Sequence, residues 1–269
     1  MVTERVETAA SEDGNIRISV ALPSYNGEAY LRQQLDSILA ELTKADELVI
    51  SDDGSVDGTV AIVKEYQERD RRIRLLSGPG QGIKKNVEHA LTHTRGQYIF
   101  LADQDDIWLS GKVERVLECF LQQKASVVIH DARVFNGDDS SRVQMESFFA
   151  FRDAGAGVVK NIIKNSYIGC CMAFRRELLA AVLPIPRQIE MHDQWIGVLG
   201  DYYAGKSCFL REPLLLYRRH DGNNSAMEHY SVGRMLRNRV VFLWCFCGRI
   251  LRNCWKKSDN KEKFKKNDS

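Results

Sequence analysis

A strand-like apolar run ends in three carboxylates, Asp103, Asp105 and Asp106, and this stretch is well suited to chemistry. Residues 98–102 have the continuous apolar character of a buried parallel strand. In open α/β sheets, ligands bind beyond the carboxyl ends of such strands. Three neighbouring carboxylates repel one another unless a positive charge lies among them, and a hard divalent cation carrying phosphate oxygens would supply that charge. The alternative is an ordinary acidic turn.

A second pair of carboxylates, Asp52 and Asp53, follows the apolar run at residues 47–51. Carboxylates only accept hydrogen bonds, so this pair suits the donor groups of a nucleobase or a ribose. Helix capping is an equally good explanation. The glycine stretch at residues 78–82 lacks the Walker A lysine and does not follow the first strand, so it matches neither standard nucleotide fingerprint. It is either a phosphate-proximal turn or a plain tight turn.

Two later stretches also carry candidate functional groups. Asp193 stands at the start of a helix beside Trp195, where it could act as a general base with the indole against a sugar. A helix-capping aspartate and a core tryptophan are the alternative, and the sequence favours it. Arg218, Arg219 and His220 could meet a diphosphate or a metal, or form a solvated basic loop.

The elements that must position these groups alternate between strands and helices. Strands are predicted near residues 17–22, 47–51, 73–76 and 98–102, with helices over 28–42, 56–69 and 83–94 between them. This alternation is typical of βαβ units and a mainly parallel sheet. The acidic turns should therefore share one sheet edge with the loops at Pro23 and Gly80. Beyond residue 110 we predict further helices, an irregular stretch over 135–159 and a last strand pair over 209–217.

Composition and charge narrow the function classes. The 269 residues suit one large domain or two fused halves. From residue 233 onward there are 11 Lys/Arg and 3 Asp/Glu, so this tail is strongly basic while the rest carries net −6. An acidic body argues against nucleic-acid binding, and a basic tail favours an anionic surface. The odd number of cysteines without metal-type spacing predicts reduced thiols, and the polar N-terminus does not resemble a secretory signal.

The tail combines a short apolar run with flanking basic residues. Residues 240–247 are apolar, and the bases around them are Arg234, Arg237, Arg239, Arg249, Arg252, Lys256 and Lys257. The run is too short to span a bilayer, which needs about 20 residues. With Trp244 and Trp255 it favours a helix lying in the membrane surface. A helix packed on the body is the alternative.

Taken together, the motifs resemble the family 2 inverting glycosyltransferases. The resemblance rests on residues 21–26 (ALPSYN), 50–59 (ISDDGSVDGT), 80–86 and 103–108 (DQDDIW). Residues 169–176, His192-Asp193-x-Trp195 and Tyr217-Arg218-x-His220 are similar to the branch that builds bacterial surface polysaccharide, including rhamnosyl-, glucosyl- and galactosyltransferases. His192 stands where many relatives have glutamate. The processive members' Gln-x-x-Arg-Trp motif is missing, which implies single sugar additions.

The resemblance implies a set of site residues and a GT-A fold, an α/β architecture with a Rossmann-like, mainly parallel sheet. Asp193 would be the catalytic base, and Trp108 and Trp195 would contact the acceptor. Mn²⁺ or Mg²⁺ would be held by Asp103, Asp105 and His220. The nucleotide sugar would be bound by Pro23, Tyr25, Asn26, Asp52, Asp53, Gly82, Asn86, Asp103, Arg218 and Arg219.

The implied activity is transfer of one hexose or deoxyhexose from a nucleoside-diphosphate sugar to a hydroxyl of a polyprenyl-diphosphate-linked sugar, in O-antigen or capsule synthesis. The expected location is cytoplasmic, at the inner face of the bacterial inner membrane. Expected boundaries are an N-terminal extension (1–16), a nucleotide-sugar half (17–110), an acceptor half (111–230) and the basic tail (231–269). Two alternatives are a non-catalytic sugar-binding protein of the same fold and an Asp-x-Asp phosphatase, whose motif would belong on the first strand.

Overall fold

The computed structural model describes residues 16–204, 207–220 and 231–267, with side chains of the final helix described as far as residue 253. The expected N-terminal extension lies outside this range except for Ile16, as do the side chains of Trp255, Lys256 and Lys257. The strands are β1 Ile18–Ser24, β2 Asp46–Asp52, β3 Ile73–Ser77, β4 Tyr98–Leu101, β5 Ile107–Trp108, β6 Val127–Asn136, β7 Val143–Met145, β8 Met172–Arg175 and β9 Ser207–Arg219.

Nine α-helices accompany these strands in the described part of the chain. They are α1 Leu31–Glu41, α2 Thr59–Arg69, α3 Ile83–His93, α4 Lys112–Gln123, α5 Phe148–Arg152, α6 Val158–Ile163, α7 Leu179–Val182, α8 His192–Ala204 and α9 Val232–Asn267. The first half follows the predicted alternation closely, because each apolar strand and each amphipathic helix has a clear period.

All strands of the described residues belong to one mixed sheet with helices on both sides, which confirms the expected α/β class. β1 pairs in parallel with β2 and β4, and β2 pairs in parallel with β3. The second half joins this sheet through β8, which runs antiparallel to β4 and to β6. Because β1 runs parallel to both β2 and β4, the polar loops that follow these three strands lie at one edge of the sheet.

The second half departs from the sequence predictions in three places. The stretch expected to be irregular contains β7, α5 and α6. The last strand pair is instead the single long strand β9, which pairs in parallel with β6 and antiparallel with β5. A disulfide joins Cys119 to Cys208, so the expectation of reduced thiols is wrong for these two residues. Each of these three features depends on contacts with residues distant in the chain, and local sequence periodicity does not encode such contacts.

The tail is a 36-residue helix with one face packed against the body. Phe242 and Phe246 are buried, and Phe242 meets the ring of Trp195 edge-on at 5.8 Å. The Arg249 guanidinium donates to the carbonyls of Ala181, Leu183 (3.2 Å) and Pro184 (2.5 Å). Among the described helices, none is both long and apolar enough to cross a bilayer.

Candidate functional site

The loop after β4 carries the acidic motif and is tied to the loop after β1. The Gln104 amide accepts from the Tyr25 N–H at 2.9 Å and donates to the Tyr25 carbonyl at 3.0 Å. Gln34 of α1 donates to the Asp103 carbonyl at 2.6 Å. These bonds confirm that the two loops share a sheet edge. Gln104 and Gln34 were not singled out from the sequence, since nothing local distinguishes them from surface glutamines.

The end of β9 closes over this acidic loop. The His220 Nε2 lies 2.8 Å from an Asp105 carboxylate oxygen, so two predicted metal ligands are in direct contact. Arg218 is buried, donates to the Asp105 carbonyl at 2.7 Å and lies over the Tyr30 ring. Arg218 therefore braces the acidic loop, and its expected role on the nucleotide stays a prediction. Arg219 is partly exposed at the same strand end, and its nucleotide role stays a prediction.

Three ionisable side chains, Asp103, Asp106 and Lys112, lie at or next to the acidic loop after β4. Burial, with the charges of Asp105 and Asp193, raises the pKa of Asp103 to about 7. Burial also raises the pKa of Asp106 well above its ordinary value, and its Oδ1 accepts the Arg218 N–H at 3.0 Å. The buried Lys112 ammonium offsets some of this charge, and burial lowers its pKa to about 8. Lys112 was missed because its position at a helix start looks like ordinary surface.

The second acidic pair divides into two roles. Asp52 is buried, and its carboxylate accepts from Ser24 at 2.8 Å and from the Ser55 hydroxyl and N–H at 2.6 and 2.9 Å. Asp52 thus shapes its own loop, and its expected ligand role stays a prediction. Asp53 is partly exposed and accepts the N–H groups of Gly80 and Gly82, both at 2.7 Å. Asp53 therefore holds the glycine loop against the site.

The remaining residues expected to contact the nucleotide fall into an exposed group and a buried group. Tyr25, Asn26 and Gly82 are exposed at the rim, where a ligand can reach them, and their role stays a prediction. Pro23 is buried within β1. Asn86 is also buried and donates to the carbonyls of Ser24 (3.2 Å) and Ser51 (2.7 Å), so it braces the first two strands. The Pro23 and Asn86 side chains therefore support the site from inside the fold, and their direct contact with a ligand stays a prediction.

Both tryptophans expected at the acceptor are core residues in the structure. Trp195 is fully buried and donates from Nε1 to the Val182 carbonyl at 2.9 Å. Trp108 is 4% exposed, with the Lys112 ammonium 3.9 Å from its ring centroid. Neither indole offers a free face here. For Trp195 the burial agrees with the alternative of a core tryptophan, and contact of either indole with an acceptor sugar stays a prediction.

Asp193 lies in the first turn of α8 with little exposure. Burial raises its pKa to about 6, although its Oδ1 accepts the Gln194 N–H at 2.6 Å. Burial lowers the pKa of the adjacent His192 to about 4, so that imidazole is neutral near pH 7. Gly169 leaves room here, because a Cβ at that position would lie 3.2 Å from the His192 Nε2. A carboxyl with this pKa can accept a proton at neutral pH.

The donor set fits a hard divalent cation. The charge of the Asp105 carboxylate contributes to the raised pKa of Asp103, and a bound cation would relieve that repulsion. Carboxylate oxygen and imidazole nitrogen are ligands that Mn²⁺ accepts. A second cluster, formed by Asp103, Asp106 and the Cys170 thiol within 4.8 Å of one another, fits less well because thiol sulfur is soft.

Comparison with known proteins identifies relatives of this chain. A family model described as "Glycosyl transferase family 2" matches residues 19–183. The putative teichuronic acid biosynthesis glycosyltransferase TuaG of Bacillus subtilis is 32% identical over 85% of this chain and 92% of its own length. The Escherichia coli enzyme WfgD, a UDP-Glc:α-D-GlcNAc-diphosphoundecaprenol β-1,3-glucosyltransferase, is 27% identical over 68% of this chain and 70% of its own length.

Solved structures share the fold. Glucosyl-3-phosphoglycerate synthase from Mycobacterium tuberculosis, in complex with Mn²⁺, UDP and glucosyl-3-phosphoglycerate, superposes with a TM-score of 0.60 at 20% identity. That match covers 92% of this chain and 84% of the synthase chain. Coverage of relatives varies, since the chain spans 66% of one curated relative and 20% of another.

Proposed function

The chain belongs to glycosyl transferase family 2, and we propose that it is a metal-dependent, inverting hexosyltransferase using a nucleoside-diphosphate sugar. One observation carries the proposal. The Cys170 thiol lies within 4.8 Å of the Asp103 and Asp106 carboxylates, and a Cβ on the adjacent Gly169 would lie 3.8 Å from the Asp193 Cβ, so the base candidate and the acidic loop flank the same short segment. A proton acceptor and a diphosphate-binding group at one sheet edge are what a single-displacement transfer needs.

The chemistry follows from these positions. Asp193, ionised above about pH 6, takes the proton of the acceptor hydroxyl. The hydroxyl oxygen then forms the new bond to the anomeric carbon as the bond to the diphosphate breaks, which inverts that centre. Asp103, Asp105 and His220 would hold Mn²⁺ or Mg²⁺, whose charge stabilises the departing diphosphate. Asp53 and its glycine loop, with Tyr25 and Asn26 at the rim, would bind the nucleoside.

We further propose that the acceptor is a polyprenyl-diphosphate-linked sugar in O-antigen or capsule assembly, met at the cytoplasmic face of the bacterial inner membrane. WfgD, whose named acceptor is a sugar-diphosphoundecaprenol, supports this choice. The basic tail supports it independently, because bacterial membranes are rich in anionic lipid.

A donor screen tests the proposal. The protein is incubated with individual nucleoside-diphosphate sugars and short-chain polyprenyl-diphosphate sugars, with Mn²⁺ or with chelator, and products are read by mass spectrometry. We expect one added sugar, dependence on metal, and an anomeric configuration opposite to that of the donor by NMR. Release of phosphate without transfer would favour the phosphatase alternative. Donor binding without turnover on any acceptor would favour the non-catalytic one.

A further inference from the structure

The final helix has an exposed apolar face opposite the face that packs on the body. The outward side chains recur at helical spacing, which places them in one stripe. They are Leu236, Val240, Leu243, Trp244, Cys247 and Leu251. Trp244 is 81% exposed and Leu251 71% exposed. We call these six residues the outer stripe. Contiguous exposed apolar surface of this kind marks an interaction site.

The inner face of the same helix is fully engaged by the body. Arg234 forms a 2.6 Å ion pair with Glu190, and Arg239 donates to the Ile163 carbonyl at 2.7 Å. Phe242 and Phe246 fill the core, and Arg249 binds three carbonyls around Pro184. The two sequence alternatives for the tail therefore describe opposite faces of one helix: the inner face packs on the body and leaves the outer stripe to a partner.

Charge indicates what that partner is. Between residues 232 and 257 the chain has seven Lys/Arg and no Asp/Glu. Arg237 and Arg252 are exposed near the outer stripe. A second copy docked through the same stripe would bring these cations together, which is unfavourable. An anionic bilayer instead accepts the apolar side chains, the interfacial tryptophan and the flanking cations together.

We propose that the outer stripe is the membrane-binding face of this enzyme, with α9 lying in the bilayer surface. The proposed lipid-linked acceptor explains why the enzyme would bind a membrane, and in that respect this inference rests on the proposed function. The assignment of the membrane-binding face rests only on the geometry of α9. Because Glu190 and the Pro184 turn lie just before Asp193 in the chain and are held by the inner face, docking the stripe also fixes how the base is oriented to the membrane.

The test uses point variants of the full chain, since truncation would also remove Phe242 and Arg249 from the core. The stripe variant is Leu243→Ser with Trp244→Ser. The matched control, Leu121→Ser with Phe151→Ser, removes two exposed apolar side chains on α4 and α5. Flotation is measured with vesicles of phosphatidylethanolamine and phosphatidylglycerol, and with phosphatidylcholine alone. Transfer to a short-chain, water-soluble acceptor is measured in parallel.

We expect the wild type and the control to float with anionic vesicles at low salt. The stripe variant should bind these vesicles at least about tenfold more weakly. Arg237→Glu with Arg252→Glu should weaken binding similarly and make the remaining binding less sensitive to added salt. Transfer to the soluble acceptor should be retained in all, which separates this inference from the proposed function. Unchanged flotation of the stripe variant, no flotation of the wild type, or a stripe-dependent dimer by sedimentation would overturn the proposal.

Discussion

Substituting the proposed base by asparagine should slow turnover strongly and stabilise the fold at the same time. The Asp193 carboxyl is 9% exposed, and burial raises its pKa from 3.8 to about 6. An Asn side chain keeps the oxygen that accepts the Gln194 N–H but cannot ionise. Turnover in Asp193→Asn should fall by about 10²–10⁴, the usual contribution of a positioned base, with donor binding nearly intact.

The stability effect follows from proton linkage. Between pH 3.8 and about 6 the folded state binds more protons at Asp193 than the unfolded state, so stability falls as pH rises through this window. Above it the full penalty applies, about 3 kcal/mol at 1.36 kcal/mol per tenfold change in proton affinity. Asp193→Asn is free of that penalty. Its free energy of unfolding should exceed that of the wild type by up to about 3 kcal/mol at pH 7.5 and match it near pH 4.

Three measurements check the expected combination of lower turnover and higher stability. Urea unfolding of wild type and variant at both pH values gives the stability difference. Wild-type kcat at saturating metal should fall about tenfold for each pH unit below 6, since only about a tenth of the molecules carry ionised Asp193 at pH 5. The exposed Asp153 supplies the control, because Asp153→Asn should change neither quantity. Destabilisation of Asp193→Asn at pH 7.5 would refute the burial reasoning, and near-normal turnover would refute the base.

Three further substitutions probe the metal, the donor loop and the tail. Asp105→Asn should abolish transfer and weaken donor binding in Mn²⁺, because an oxygen ligand and its charge are compromised; activity in chelator would remove the metal role. Asp53→Ala should raise donor KM more than it lowers kcat, because two glycine N–H groups lose their acceptor; an unchanged KM would count against it. Arg249→Met should lower the free energy of unfolding by about 2–4 kcal/mol by leaving buried carbonyls unsatisfied, whereas the exposed Arg252→Met should change it by under about 0.5 kcal/mol in the same urea titration.

The first half of the fold and the main acidic loop could be predicted because their signals are local. Each strand is an apolar run that ends in polar residues, and each helix has its own period. Parallel pairing then brings the loops at Asp53 and Asp103 to one edge without further information. The same logic predicted Asp193 at a helix start. Motif residues in order along the chain were enough to identify the family.

Only tertiary packing decided which of the candidate site side chains are exposed to solvent. Asp52 and Asp53 are neighbours of identical type, yet one is buried in its own loop and the other faces the glycine loop. Trp108 and Trp195 lie beside functional carboxylates in the chain but point into the core. Strand register and side chains far away in the sequence decide which residue of a motif meets a ligand. The sequence pattern of the motif contains neither kind of information.

The tail shows both contributions in one element. Its composition determined a basic, amphipathic helix, because charge and apolar spacing are properties of the sequence itself. The pattern could not assign the faces, since Phe242 and Trp244 are equally apolar and only two positions apart. Contact with Trp195 and the Pro184 turn buries the first and leaves the second exposed. That choice belongs to the tertiary structure because it requires a partner surface formed by residues 40 to 70 positions earlier in the chain.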